Sequence, residues 1–196
     1  MSDKPSGFMQ DRLNAYPTVT VELTNALIDI FGGDVWDDSP VRTAERWLSA
    51  MKEFHPDAEI PFSFTTFPAV ANQLIVVADI QFASLCAHHL FPYKGKVHVG
   101  YIPNKLQVGV SKIPRLVHHF AKRPSVQESL TRNIASYLKT NLEAMGVAVV
   151  VEALHTCMSC RGITERNARM VTSEMRGVFL TASEARQEFL ALSGLT

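Results

Sequence analysis

Lys94-Gly95-Lys96-Val97-His98-Val99-Gly100-Tyr101-Ile102-Pro103-Asn104-Lys105-Leu106-Gln107-Val108-Gly109-Val110 is the stretch on which the fold turns. Val97, Val99 and Tyr101 alternate with other positions, the period of a half-buried strand. Asn104-Lys105 suits a turn into a second strand over residues 106–110. Upstream, residues 74–80 are β-rich, so three strands follow one another. Downstream, residues 113–122 and 125–144 read as helices. The second of these carries Val126, Leu130, Ile134, Leu138 and Leu142 at intervals of four, and Gly146 ends it. Strands return over 147–157 and 170–180, and a helix over 183–192 closes the chain. Neighbouring strands joined by short turns imply an antiparallel sheet with helices on one face, an α+β domain.

The segment before this domain is helical. Val19, Leu23, Ala26, Leu27 and Ile30 follow helical spacing, and Gly32-Gly33 stops them. Asp38-Ser39-Pro40 starts a second helix, a capping side chain followed by Pro in the first turn. That helix runs to about residue 54. Residues 1–17 read as a loose arm and 55–72, with Pro56, Pro61 and Pro68, as a linker. The expected division is therefore 1–72, arm and helical segment, and 73–196, the domain that carries the chemistry.

Composition excludes several classes. The 196 residues carry 19 basic and 19 acidic side chains, and 46% are apolar, which is too apolar and too weakly charged for a disordered chain. Zero net charge gives no general attraction to nucleic acid or to an anionic membrane, so neither is expected as a partner. No apolar run follows Met1 to Gly7, and none approaches the 18 or so residues of a membrane span. Three Cys do not make a disulfide framework and fit a reducing, cytoplasmic setting.

The densest chemistry lies in Cys86-Ala87-His88-His89 and in His155-Thr156-Cys157-Met158-Ser159-Cys160-Arg161. Cys86 and His89, three apart, let one turn present a thiolate and an imidazole to one ion, and Cys157 offers a third ligand. Two thiolates and an imidazole suit Zn²⁺, and three protein ligands leave a position open for chemistry. Cys160 offers an alternative: a Cys157-x-x-Cys160 knuckle would close a structural four-ligand site. Strand alternation, if it continues this far, puts His155, Cys157, Ser159 and Arg161 on one face and Cys160 on the other. His88 and His155 remain for proton transfer or for support of the ligands. Ser111-Lys112-Ile113-Pro114-Arg115 sits where a strand gives way to a helix, so it is either an anion site or an ordinary helix start with solvated charges. Glu128, after Gln127, either accepts from a guanidine-like N–H pair or serves the helix dipole.

Together these residues resemble the GTP cyclohydrolase I family. The likeness spans about residues 18–192 and rests on Ser84-x-Cys86-x-His88-His89, Gly95-Lys96-x-His98-Val99-x-Tyr101-Ile102-Pro103, Val110-Ser111-Lys112-x-x-Arg115, Arg123-x-x-x-Gln127-Glu128-x-Leu130-Thr131 and His155-x-Cys157-Met158-x-x-Arg161-Gly162. It implies the tunnelling fold (T-fold), assembled as a toroidal homo-oligomer, commonly a decamer, with active sites between subunits. It implies zinc-dependent hydrolysis of GTP at guanine C8, with formate release and rearrangement to 7,8-dihydroneopterin triphosphate. The zinc ligands would be Cys86, His89 and Cys157, with His88 and His155 moving protons. Glu128 with Gln127 would hold the guanine edge, and Ser111, Lys112, Arg115 and Arg161 the triphosphate and ribose. Two positions depart from the family: Ala87 stands where Glu is usual, and Glu45, beside Arg46, stands where Lys or Arg is common. They keep open a non-catalytic purine- or pterin-binding relative of the same fold, or a related nucleotide as substrate.

Overall fold

The computed structural model describes residues 16–54 and 63–195. It divides into two compact units, residues 1–53 and 54–196. In the first, α1 (Tyr16–Phe31) and α2 (Pro40–Lys52) form as the apolar spacing and the Ser39-Pro40 start predict. Gly32 stops α1 at φ 91°, its N–H closing on the Ile28 carbonyl at 2.8 Å. Ser39 caps α2 by backbone conformation alone. Asp38 instead accepts from the Ser39 N–H at 2.8 Å and from Arg46 at 2.7 Å. Both contacts hold its carboxyl below the usual range, the Ser39 N–H most strongly.

The second unit holds β1 (Thr66–Pro68), β2 (Ile75–Cys86), β3 (Pro92–Ile102), β4 (Leu106–Val108), α3 (Lys112–Ala121), β5 (Pro124–Ser125) and α4 (Gln127–Leu142). These are followed by β6 (Gly146–His155), the single turn α5 (Thr156–Ser159), β7 (Met170–Gly177), the turn α6 (Val178–Thr181) and α7 (Ser183–Ser193). The main sheet has the order β5-β2-β3-β6-β7 and is antiparallel except for the two-residue β2–β5 pair. This is the mixed α+β architecture read from the sequence.

Two expectations change. The turn at Asn104-Lys105 does not return β4 alongside β3. Both edges of β3 are already taken, by β2 on one side and by β6 on the other. β4 therefore pairs with β1 in a separate two-stranded sheet, and β1 lies within the stretch expected to be linker. Of that stretch, Pro56 and Pro61 lie outside the described residues.

Helices also cover both faces of the sheet. Alternation sends Val97, Val99, Val147, Val149 and Val151 to one side, where they are buried with Leu116 and Val117 of α3 and Leu130, Ile134 and Leu138 of α4. The opposite residues Ala148 and Val150 pack with Phe179 of α6 and Phe189 of α7. Gly100 makes this possible, because a Cβ there would stand 2.5 Å from the Phe189 ring. Lys94, Lys96 and Leu154 remain exposed on that second face.

Candidate functional site

Three chain segments meet at one end of the sheet. At the first, β2 ends on Cys86, and the chain turns back so that the Cys86 carbonyl accepts from both the His89 N–H (3.3 Å) and the Leu90 N–H (2.8 Å). Leu90 takes a left-handed conformation, φ 55°, to complete the turn. This local closure brings His89 over Cys86, as the three-residue spacing predicts. The Ala87 N–H donates to Ser125 at 3.2 Å, fixing the turn to β5 and hence to the start of α4. The third segment is the β6–α5 junction, which supplies His155 and Cys157. One donor atom each from Cys86, His89 and Cys157 lies within 4.8 Å of the others, the one such group able to hold an ion among the described residues. Burial, and next the neighbouring Cys86, push the Cys157 thiol above its usual range. Two thiolates with an imidazole are a donor set that can hold a metal ion.

Cys160 stands apart, for a different reason from strand alternation. The strand ends at His155, so alternation does not reach Cys160. The α5 turn instead leaves it exposed, with its Sγ–H donating to the Thr156 carbonyl at 2.7 Å.

His155 is buried, and its ring lies flat on Tyr93 with centroids 4.5 Å apart and planes 5° apart. Burial lowers its pKa, with Glu128 pulling weakly the other way. Its Nε2 meets Gln127 Oε1 at 2.8 Å. Gln127, expected at the guanine edge beside Glu128, is 1% exposed and bonds through its amide to Val151, Met170 and Thr172. Glu128 is exposed in the first turn of α4, where the helix dipole favours a carboxylate. His88 Nδ1 lies 3.8 Å from Cys86 Sγ.

Cys86, His88, Gln127, Glu128, His155 and Cys157 all line one cavity of about 390 Å³. Ser111, Lys112, Arg115 and Arg161 do not. Ser111 and Lys112 open α3, where Lys112 donates to Ser63 Oγ at 3.0 Å, and Arg115 is exposed. Arg161 is exposed in the loop after α5. Arg46, beside Glu45, is engaged by Asp38 within the helical unit. Sequence reasoning missed Tyr93, Met158 and Arg169. Arg169 lines the cavity and pairs with Glu152 at 2.7 Å. Tyr93 meets His155 only through the β3–β6 register, which no motif encodes.

The protein-family model described as GTP cyclohydrolase I matches residues 21–194. The chain is 47% identical to GTP cyclohydrolase 1 of Sulfurihydrogenibium sp. (strain YO3AOP1) over 79% of its own length and 81% of that protein. It is 41% identical to that of Methylococcus capsulatus over 90% and 98%. It is 45% identical to that of Aquifex aeolicus over 79% and 82%. A solved apo structure of an archaeosine synthase QueF-like protein aligns with 55% of this chain and 96% of its own at TM-score 0.45 and 17% identity, too slight a likeness to carry an argument. Among the described residues no helix is long and apolar enough to cross a membrane. On the family match and on identities of this size over most of its length, the chain belongs to the GTP cyclohydrolase I family of enzymes.

Proposed function

We propose that this protein hydrolyses GTP at C8 of guanine, releases formate and rearranges the remainder to 7,8-dihydroneopterin triphosphate, with Zn²⁺ held by Cys86, His89 and Cys157. The observation that carries this reading is the convergence of Cys86 and Cys157, with His89 within 4.8 Å of both, and of His88, His155 and Glu128 on a single cavity that all but His89 line. Its volume, about 390 Å³, lies in the range of small-molecule sites. Zinc, when bound, supplies a Lewis acid that makes water nucleophilic near neutral pH.

The chain's own residues do the rest. The Glu128 carboxylate accepts from the guanine N1–H and 2-amino groups. Adenine lacks that pair and would leave the carboxylate unmatched, which is the basis of discrimination. His88 donates a proton to the imidazole half of the purine. His155, whose pKa burial lowers, accepts and returns protons as the rings open and re-form. Ser111, Lys112, Arg115 and Arg161 hold the triphosphate and ribose. Because they do not line this chain's cavity, in this reading they serve the cavity of a neighbouring copy. Such an assembly, a toroidal homo-oligomer and commonly a decamer, is supported by two sheet edges that no described residue pairs: the outer side of β7, and β2 ahead of its two-residue pairing with β5.

The test is to incubate the zinc-loaded protein with GTP, assay formate, and read pterin fluorescence after oxidation, beside a size measurement. Formate in step with pterin supports the reading. Binding without formate leaves a non-catalytic purine- or pterin-binding relative. A Cys160→Ser variant is expected to keep about one zinc per chain and to turn over within about twofold of the parent, since among the described residues the Cys160 thiol hydrogen-bonds only to the Thr156 carbonyl. Zinc loss in that variant would support a four-ligand structural site.

A further inference from the structure

The Gln127 side chain is surrounded so completely that its orientation can be deduced. One end lies 3.0 Å from the Val151 carbonyl and 3.1 Å from the Met170 carbonyl. Carbonyl oxygens only accept, so the amide nitrogen must face them; the flipped amide would set oxygen against oxygen twice. The same nitrogen lies 3.1 Å from Thr172 Oγ1. Thr131 Oγ1 donates to the Gln127 main-chain carbonyl at 2.8 Å, so in its 2.7 Å contact with Thr172 it accepts. Thr172 therefore donates to Thr131 and is left to accept from Gln127. The two amide N–H groups thus face three acceptors, so one N–H is shared, and all three contacts require the same orientation.

That orientation aims Gln127 Oε1 at His155 Nε2, 2.8 Å away. Oε1 is only an acceptor, so His155 Nε2 carries a proton. In the neutral ring the lone pair is then on Nδ1. Stacking on Tyr93 holds the plane of the ring, and the bond to Gln127 fixes which edge faces the amide. Nδ1 has no hydrogen-bond partner among the described residues, and the His155 side chain lines the cavity.

We propose that Gln127 is a positioning residue: it locks His155 in the Nε2–H tautomer and presents the bare Nδ1 to the substrate as proton acceptor. This rests on the reading of His155 as a proton carrier and gives Gln127 a role that does not require it to touch the purine. The network needs Thr131 and Thr172 as well, since they hold the amide that holds the ring.

The experiment is ¹⁵N magic-angle-spinning NMR of the zinc-loaded protein labelled at histidine, with the His155 signals assigned by subtracting the spectrum of His155→Asn. A protonated Nε2 with an unprotonated Nδ1 is expected. Neutral His155 protonated at Nδ1 overturns the proposal, with no variant needed. Gln127→Leu is expected to lose the single tautomer. It should lower kcat for formate release about tenfold or more while KM for GTP stays within about threefold, general acid–base transfer being worth about a hundredfold or more when fully lost. A rise in KM at unchanged kcat would instead put Gln127 on the substrate and overturn the proposal. If the protein releases no formate from GTP, the reading of its activity fails, and the tautomer spectrum, taken without turnover, still decides this one.

Discussion

Cys157→Ser is expected to leave a folded protein that holds far less than one zinc per chain and releases formate at least about a thousandfold more slowly. A thousandfold is about 4 kcal/mol of transition-state stabilisation, the scale of loss expected when the group that activates the attacking water is gone. The chemical reason is the donor. A serine hydroxyl stays protonated near neutral pH and is a poor match for zinc, whereas the thiol ionises as the metal arrives. The structural reason is that the three ligands come from two separate segments. Cys86 and His89 sit at the turn after β2 and remain as a pair; Cys157, on α5, ties that pair to the end of β6. Two ligands on one turn do not enclose an ion. Folding should change little, because Cys157 is only partly buried, at the edge of the main core. Metal analysis by mass spectrometry, beside formate release and a thermal melt, checks all three. Full zinc occupancy at normal turnover in this variant would remove Cys157 from the ligand set.

The parts of this molecule that were legible in the sequence are those set by neighbours along the chain. The Cys86-x-x-His89 pairing is one turn closed by two hydrogen bonds to a single carbonyl, so spacing alone predicts it. The helices α1, α2, α3 and α4 follow from apolar period and from Gly and Pro punctuation, and the structure finds them to within two or three residues. What depends on which strand lies beside which was not legible. A turn such as Asn104-Lys105 says that the chain bends; it does not say that both edges of β3 are occupied, and β4 goes elsewhere. Phe189 reads as one apolar residue on a closing helix, and nothing local says that Gly100, 89 positions earlier, leaves room for its ring. Gln127 shows the limit most clearly. By position it belongs beside Glu128 at the cavity. Only the register of β6 on β7 reveals that its amide is enclosed by Val151, Met170 and Thr172 and aimed at His155.

That dependence on strand contact predicts the second large effect, at Gly95. An alanine Cβ there would lie 1.8 Å from the Glu152 carbonyl oxygen and 2.7 Å from Ala153 Cα. Both are backbone atoms of β6, so no side chain can swing away; β3 and β6 must move apart. Overpacking costs about 1–3 kcal/mol where side chains can adjust, and Gly95→Ala is expected to exceed that range, at about 4 kcal/mol. Gly100→Ala provides the comparison. Its nearest neighbour is also too close, at 2.5 Å, but it is the Phe189 ring, which can shift, so a cost of about 1–2 kcal/mol is expected. The two variants should differ in activity as well. Gly95 pairs with Ala153, and two residues along the same ladder Tyr93 pairs with His155. Opening the ladder at Gly95 lifts Tyr93 from the His155 ring, so the fraction that remains folded should itself turn over slowly. Gly100→Ala disturbs the other face of the sheet, away from the cavity, and its folded fraction should keep normal kcat. Denaturant midpoints and kcat per folded chain separate the two. Equal midpoints for Gly95→Ala and the parent would mean that β3 and β6 do not approach as closely as this, and the stacking of Tyr93 on His155 would lose its structural basis.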